Sequence, residues 1–257
     1  MILDDLVNAV KKRYKDKKDN LDYIKDLASK RKYKMVSFYE AIEKNGMSFI
    51  CEIKKASPSK GIISNDFKYK EIAKEYNKIA DVISVLTEPT RFLGSDKILS
   101  DVKELVDIPV LRKDFIIYPY QIYEAKAIGA DAILLICAIL TEDEIKNYID
   151  IAHSIGLGCL VEAHDELEVK KALNANAKVI GVNNRNLKDF TVDMANSIKL
   201  RKLAPKSVKF VSESGIKTRD DIKRLEDNDV DAVLIGETLM RSSDKVKMIE
   251  ELKYGKN

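Results

Sequence analysis

The chain of 257 residues carries 45 basic and 42 acidic side chains, which leave a net charge of +3. Hydrophobic residues make up 45% of the sequence and charged residues 34%, a composition typical of a globular protein with a heavily ionised surface. This balance gives no general case for nucleic acid as a partner, and no apolar run reaches the roughly 18 residues of a membrane span.

Cysteine and histidine are sparse and form no recognisable site. The three cysteines, Cys51, Cys137 and Cys159, lie in or beside apolar runs, which is typical of reduced, buried thiols. Together with an N-terminus that lacks signal-peptide character, they predict a cytoplasmic protein. The two histidines, His153 and His164, lack the spacing of metal ligands, so we expect no metal ion.

The first 47 residues precede the regular part of the sequence. Residues 2–12 place apolar side chains at helical spacing and predict an amphipathic helix. Residues 11–34 hold eleven Lys or Arg and four Asp, which fits either a phosphate-rich partner such as RNA or a solvated helix face with a connecting loop. The interleaved acids and the lack of a stacking motif favour the solvated face. We therefore expect residues 1–47 to be a helical extension packed against the following barrel.

From residue 48 onward, short apolar runs alternate with stretches of helical periodicity. The apolar runs are 48–54, 81–86, 109–113, 131–136, 158–162, 178–183, 208–212 and 232–236. The helical stretches are 68–79, 95–105, 118–128, 142–154, 165–173, 194–203 and 218–227. Eight strands alternating with helices predict an α/β fold, a (β/α)8 TIM barrel over residues 48–257, which with the extension forms a single domain of residues 1–257. An open doubly wound sheet is the alternative, but it usually has fewer strands, and no G-x-G-x-x-G fingerprint occurs.

Several of the predicted strands end in charged or polar side chains. Alternation puts Glu52 and Lys54 on the same face of the first strand as Ile50. The other groups at strand ends are Lys113, Glu162, Asn183, Glu213 and Ser214. One charge at a strand end is usually just the first solvated residue. In a closed barrel, however, groups of both signs from several strands meet in one small volume, where active sites lie.

The crowding of these charges predicts shifted pKa values. Two ammonium groups, Lys54 and Lys113, would favour loss of a proton from one of them or an anionic ligand between them. Glu162, in a mouth walled by Leu134 and Leu160, is expected to hold a proton near neutral pH. Such a set suits acid–base chemistry on a carbonyl or hydroxyl. Arg112 and Asp114 alternate with Lys113 and should point away from the lumen.

The last two predicted strands lead into glycine-containing turns. Gly215 follows Glu213-Ser214, and Gly236 precedes Glu237 at the start of a short helix. Glycine lets the backbone approach an anion, and the first N–H groups of a helix are unpaired. We expect a phosphate site here, closed by the turn that contains Ser57. Glu237 should contribute only its main-chain N–H, because its carboxylate would repel the ligand.

Seven motifs, in order, resemble the indole-3-glycerol phosphate synthase family, the decarboxylating ring-closure enzymes of tryptophan biosynthesis. The match spans about residues 30–245, and an N-terminal extension before the first strand is also a feature of that family. The motifs are Glu52-Ile53-Lys54-Lys55-Ala56-Ser57-Pro58-Ser59-Lys60-Gly61, Leu86-Thr87-Glu88 with Phe92-Leu93-Gly94-Ser95, Leu111-Arg112-Lys113-Asp114-Phe115, Leu160-Val161-Glu162, Gly181-Val182-Asn183-Asn184-Arg185-Asn186-Leu187, Ser212-Glu213-Ser214-Gly215 and Leu234-Ile235-Gly236-Glu237.

The resemblance implies roles for the strand-end residues in converting a carboxyphenylamino-deoxyribulose phosphate. Lys113 is similar to the family's general acid, Glu162 to its partner carboxyl, and Lys54 to the group that holds the substrate carboxylate. Glu52 and Asn183 would bind the ribulose hydroxyls and orient both lysines. Further substrate contacts would come from Arg185, Ser214, Glu213, Phe92, Phe115, Leu134 and Leu187. Phosphate contacts would come from Ser57, Gly215, Gly236 and Glu237. The resemblance implies no cofactor, a phosphorylated small-molecule substrate and a monomer.

Two other functions fit parts of this pattern. A phosphosugar barrel of the phosphoribosylanthranilate isomerase type shares the phosphate site but needs no lysine for a substrate carboxylate, so Lys54 beside Glu52 argues against it. A non-catalytic phosphate-binding barrel would not require Lys113 and Glu162 together.

Overall fold

The structure, a computed structural model, describes residues 2–186 and 189–255. Within these ranges eight parallel strands pair in chain order and close into one barrel. The strands are β1 (Ser48–Ile53), β2 (Val82–Leu86), β3 (Val110–Lys113), β4 (Ala132–Ile136), β5 (Gly158–Ala163), β6 (Val179–Asn183), β7 (Lys209–Glu213) and β8 (Ala232–Ile235). Each end lies within one residue of the predicted run, so the TIM-barrel prediction is confirmed.

Helices precede the barrel and connect its strands. They are α1 (Ile2–Arg13), α2 (Leu21–Ser29), α3 (Phe38–Ile42), α4 (Tyr69–Tyr76), α5 (Asp96–Lys103), α6 (Pro119–Ile128), α7 (Glu142–Ser154), α8 (Glu166–Asn174), α9 (Ala195–Arg201), α10 (Arg219–Glu226), α11 (Glu237–Arg241) and α12 (Lys245–Tyr254). A small hairpin pairs Ala56–Ser57 with Gly61–Ile62 just after β1. No helix in the described ranges is long and apolar enough to cross a membrane.

Strand alternation divides the apolar residues between two cores. Ile50 of β1 packs inside the barrel with the leucines of other strands, whereas Cys51 and Ile53 pack outward against the helices. Phe38 and Ile42 of α3 join the inner core. Because α3 lies beside the N-terminal ends of the strands, where Ser48 Oγ donates to the Ala41 carbonyl at 3.1 Å, it closes the barrel opposite the charged ends.

Three aspartates secure the N-terminal ends of the strands. Each lies just before an even-numbered strand and accepts a hydrogen bond from a backbone N–H of the preceding strand at 2.9 Å. The three pairs are Phe49–Asp81, Val110–Asp131 and Phe210–Asp231. Each carboxylate also pairs with a lysine. These contacts fix the stagger of neighbouring strands at the end of the barrel that lies away from the charged residues.

Asp131 also binds the N-terminal extension to the barrel. Its fully buried carboxylate accepts from Arg31 at 2.8 Å, from the Val36 N–H at 3.1 Å and from Lys103 at 2.6 Å. At the other end of the basic segment, Arg13 pairs with buried Asp114 at 2.7 Å. Thus Arg13 and Arg31 are structural ties rather than members of a solvated face, unlike the exposed lysines between them.

We predict that Asp131→Asn strongly destabilises the fold. The change leaves Arg31 and Lys103 buried without their counter-charge, and breaking a buried ion pair costs about 3–5 kcal/mol. The measurement is the free energy of unfolding in urea. Asp150→Asn, at an exposed position of α7, is the control and should change stability by less than about 0.5 kcal/mol. Equal losses of unfolding free energy in the two variants would contradict a stabilising role for the ion pairs of Asp131.

Candidate active site

A cavity of about 720 Å³ opens at the carboxyl ends of the barrel strands. It is lined by every described residue that the sequence assigned to the site. These are Glu52, Lys54, Ser57, Phe92, Lys113, Phe115, Leu134, Glu162, Asn183, Arg185, Glu213, Ser214, Gly215, Gly236 and Glu237. Leu187 lies outside the described residues. The barrel therefore brings together side chains that are separated by up to most of the chain length.

Lys113 occupies the middle of the charged cluster. Its Nζ lies 2.7 Å from Glu213 Oε2, 3.6 Å from Glu52 Oε2 and 3.8 Å from Glu162 Oε2. Burial alone would lower the pKa of Lys113, but the three carboxylates outweigh it and raise the pKa above its ordinary value. Lys113 therefore keeps its proton. The sequence left two outcomes open for Lys54 and Lys113, loss of a proton from one of them or an anionic ligand between them. The raised pKa of Lys113 contradicts the first outcome for that residue, and the Glu52 carboxylate contacts both ammonium groups.

Glu52 is the carboxylate shared by both lysines. Its Oε1 lies 2.5 Å from Lys54 Nζ, and its Oε2 faces Lys113 at 3.6 Å. Burial would raise the pKa of Glu52, but Lys54 and Lys113 lower it below its ordinary value. Glu52 is therefore ionised at neutral pH and holds the two ammonium groups in a fixed relation.

Two glycines make room for these carboxylates. A Cβ on Gly236 would stand 2.2 Å from Glu52 Oε1, and a Cβ on Gly181 of β6 would stand 2.3 Å from Glu213 Oε1. No side chain fits at either position without displacing a carboxylate. Gly236, which the sequence assigned to the phosphate site, therefore also serves the charged cluster.

Glu213 is the carboxyl group whose pKa is shifted toward neutral pH. Its side chain is 1% exposed, and its Oε1 is buried with no hydrogen-bond donor among the described residues. Burial raises the pKa of Glu213 to about 7, against the opposing effect of Lys113 and with support from nearby Glu162. The sequence pointed to Glu162 as the carboxyl that holds a proton, because nothing in the sequence shows how deeply Glu213 is buried.

Asn183 and Ser214 form a fixed polar pair between β6 and β7. Ser214 Oγ donates to Asn183 Oδ1 at 3.0 Å, and the Arg185 N–H donates to the same oxygen at 3.1 Å. With Oδ1 committed to these donors, the Nδ2 group of Asn183 is the one left to donate to a ligand. Ser214 has a strained left-handed backbone conformation (φ 67°). Asn184 Nδ2 donates a hydrogen bond to the Ser214 carbonyl at 3.1 Å and stabilises this conformation.

The glycine turns surround a cation-rich corner of the cavity. The Glu237 carboxylate lies 3.1 Å from Arg241, 3.7 Å from Arg185 and 4.0 Å from Lys60. Its charge is therefore compensated by three cations. The expectation that only its main-chain N–H would serve the site overlooked these partners, which an anionic ligand could share.

The cavity also contains residues that the sequence did not single out. From α1 come Ile2, Leu3 and Leu6, so the extension forms part of the cavity wall. Phe190 and Met194 add apolar surface to the wall that includes Phe92 and Phe115, whose ring centroids lie 6.2 Å apart. Helical spacing identified the apolar face of α1, but no sequence pattern showed what that face would cover.

No group of His, Cys, Asp or Glu in residues 2–186 and 189–255 has the arrangement of a metal site. The charged cluster has instead an ammonium group at its centre. The arrangement can hold an anionic substrate, deliver a proton from Lys113 and accept one on a carboxylate.

Comparisons with known proteins identify the family. The family model described as indole-3-glycerol phosphate synthase matches residues 2–252. An indole-3-glycerol phosphate synthase of Endomicrobium trichonymphae is 55% identical over 257 residues, covering 98% of this chain and 100% of the relative. Another, of Ruminiclostridium cellulolyticum, is 57% identical over 248 residues and 95% of each chain. A solved 3-hexulose-6-phosphate synthase shares the fold, with a TM-score of 0.66, 16% identity, and coverage of 81% of this chain and 99% of that one.

We predict a pH-dependent effect of Glu213→Gln on stability. The pKa of Glu213 is about 7 in the folded protein and 4.5 ordinarily, so its favourable contribution is complete below about pH 4.5 and is lost as the pH rises through about 7. The difference in unfolding free energy, wild type minus variant, should fall by on the order of 2 kcal/mol from about pH 5 to about pH 8. Urea unfolding at several pH values measures it. Val192→Ala removes no ionisable group and should give a constant difference, and a constant difference for Glu213→Gln would refute the shift.

Proposed function

The chain belongs to the indole-3-glycerol phosphate synthase family of decarboxylating lyases in tryptophan biosynthesis, and we propose how its cavity performs the family's reaction. The substrate is 1-(2-carboxyphenylamino)-1-deoxyribulose 5-phosphate, and the products are indole-3-glycerol phosphate, CO2 and water. One observation carries the assignment of roles. Lys113 lies among three carboxylates, and Lys54 contacts the Glu52 oxygen that faces away from Lys113.

Lys113 is the proposed general acid for ring closure. The aryl carbon that bears the carboxylate attacks the ketone carbon, and negative charge develops on the ketone oxygen. Lys113 must be protonated before this step, and its raised pKa ensures that it is. The alkoxide that forms is a far stronger base than the lysine, so it takes the proton and becomes a hydroxyl. Loss of CO2 then restores the aromatic ring.

Glu162 is the proposed partner in dehydration. The new hydroxyl must leave as water, and a proton must be removed so that the indole double bond forms. Glu162 would remove this proton from the ring, and Lys113, once reprotonated from solvent, would protonate the leaving hydroxyl. Glu162 Oε2 lies 3.8 Å from Lys113 Nζ, so the proton taken up by Glu162 can return Lys113 to its charged form. The electrons come from the substrate's own enamine, so the proposed reaction uses no cofactor.

The remaining groups bind and orient the substrate. Lys54 would hold the substrate carboxylate, with Glu52 fixing its position through the 2.5 Å ion pair. Asn183, Glu213, Ser214 and Arg185 surround the same space and would contact the ribulose chain. The anthranilate ring would lie against Phe92, Phe115 and Leu134. For Leu187 the assignment to this wall remains an expectation from its motif.

The phosphate would lie at the corner bounded by Ser57, Gly215, Gly236 and Glu237. Backbone N–H groups at the start of α11 and the cations Arg185, Arg241 and Lys60 favour an anion there. Arg185 and Asn183 line the same cavity as this corner and Lys113, and both would contact the ribulose chain. An isomerase of the phosphoribosylanthranilate type would need this corner but not Lys54, which supports the synthase.

We also infer that the chain acts as a cytoplasmic monomer. The charged cluster and the proposed phosphate corner draw their residues from the strand ends and loops of a single barrel. The three cysteines are free and buried, which suits a reducing compartment.

We predict that Lys113→Ala lowers kcat by about 10²–10⁴-fold, the range for loss of a general acid. Production of indole-3-glycerol phosphate, followed by indole fluorescence, is the measurement. Substrate binding should survive, because Lys54 and the phosphate corner remain. The control is Lys55→Ala, one residue from Lys54 but outside the cavity lining, which should keep the wild-type rate. A normal kcat for Lys113→Ala would show that Lys113 is not the general acid.

We predict that inorganic phosphate raises the melting temperature. At a concentration about 50 times its Kd, a ligand that binds only the folded state adds about 2 kcal/mol of stability. Ser57→Asp puts a carboxylate beside the corner and should abolish the rise in thermal unfolding scans. Chloride at equal ionic strength is the control, and an equal effect of both salts would indicate no specific site.

A further inference from the structure

His164 lies directly behind the charged cluster, outside the lining of the cavity. It follows β5, and its imidazole is enclosed, with 17% of the side chain exposed. Nδ1 lies 3.0 Å from Glu168 Oε2 of α8, and the same oxygen accepts the His164 backbone N–H at 2.8 Å. Two contacts to one carboxylate therefore fix the orientation of the ring.

The other ring nitrogen points to Glu162. His164 Nε2 lies 3.4 Å from Glu162 Oε1, and the other oxygen of that carboxylate, Oε2, faces Lys113 at 3.8 Å. Nε2 is buried and makes no hydrogen bond within the described residues. A small rotation of the Glu162 carboxylate toward the ring would close that gap. Glu162 thus stands between one permanent cation and one group that can become a cation.

We propose that His164 is a positioning residue for Glu162: its protonated ring, anchored by Glu168, holds the Glu162 carboxylate in the orientation needed for proton removal. This proposal rests on the role of Glu162 given above. Neutral His164 with the proton on Nδ1 would present a lone pair to Glu162 and repel the carboxylate. Deprotonation of a residue that never touches the substrate would therefore slow the reaction.

The groups around His164 favour its protonated form. Glu162 lies on its own strand, Glu168 and Asp165 belong to the start of α8, Glu213 approaches from β7, and Lys113 lies beyond Glu162 on β3. From α9, the neutral side chain of Asn196 donates to the His164 carbonyl at 3.0 Å. Nearby Cys137 is also neutral, because burial raises its pKa to about 12, while Lys171 donates to carbonyls of the same turn.

Carboxylates thus outnumber cations around the ring. Burial would lower the pKa of His164, but the hydrogen bond to Glu168 and the charges of Glu162 and Glu168 outweigh it and raise the pKa above its ordinary value. The other histidine offers the contrast within the same chain. His153 of α7 contacts the Tyr39 hydroxyl at 2.7 Å, and burial and Lys178 lower its pKa.

A direct test uses nuclear magnetic resonance. The chain has only two histidines, so labelling with 15N-histidine gives two titrating rings, which His153→Gln assigns. We expect His164 to titrate at higher pH than His153, and Glu162→Gln to move the titration of His164 downward while that of His153 stays in place. If Glu162→Gln leaves the His164 titration unchanged in the folded protein, the coupling does not exist.

Turnover measurements test the positioning role. Glutamine places an amide N–H where Nε2 lies but cannot titrate, whereas asparagine reaches only as far as Nδ1. His164→Gln should keep kcat within about threefold and lose the fall in rate that follows deprotonation of His164, whereas His164→Asn should lower kcat by about tenfold or more with little change in KM. His153→Gln should match wild type.

The outcomes separate this proposal from the assignment of the catalytic groups. Wild-type kcat and pH profile in His164→Asn would show that the ring only braces α8, and would overturn the proposal. If Lys113→Ala remained active while the two histidine titrations behaved as expected, the proposed mechanism would fail and the coupling of His164 to Glu162 would stand. Should His164→Asn fold poorly, the titration in Glu162→Gln decides the question.

Discussion

The ion pairs of Lys113 are the interactions on which the mouth of the barrel depends. Carboxylates from β1, β5 and β7 lie within 3.8 Å of its ammonium group. Three carboxylates buried this closely would repel one another and lose their hydration, which is unfavourable unless a cation sits among them. Lys113 is that cation. The contacts that offset repulsion among the carboxylates also keep Lys113 charged, and the proposed ring closure requires a charged lysine.

Contacts at the opposite end of the barrel stabilise the fold and offset the cost of burying this cluster. There the aspartates before β2, β4 and β8 bind backbone N–H groups of neighbouring strands, and Phe38 of α3 fills the lumen. Stabilising polar contacts thus lie away from the substrate. This separation matches the general division in TIM barrels between a stabilising face and a catalytic face.

Much of this architecture could be predicted from the sequence, because strand alternation and strand ends are local properties. Glu52, Lys54 and Lys113 were placed in one volume by counting residues along strands. The aspartates that secure the barrel could also have been predicted, since Asp81 and Asp131 begin an apolar run and Asp231 directly precedes one. The burial of a side chain and its contacts with other strands could not be predicted from the sequence. The shifted pKa of Glu213 depends on its burial, and the role of Gly181 depends on a side chain 32 positions away.

The strand β3 shows why the N-terminal extension belongs to the site as well as to the fold. Lys113 points into the cavity, and the side chains of its two neighbours point outward. Arg112 is fully buried and pairs with Asp96 at 2.8 Å and with Glu124 at 2.9 Å. Asp114 pairs with Arg13 of α1 at 2.7 Å. Alternation therefore makes one short strand both the carrier of the proposed acid and the anchor of the helix whose Leu3 and Leu6 line the cavity. Because Arg13 of α1 pairs with Asp114, a displacement of α1 would act on the residue next to Lys113. The strand that carries the proposed proton donor therefore also anchors the helix that forms part of the cavity wall.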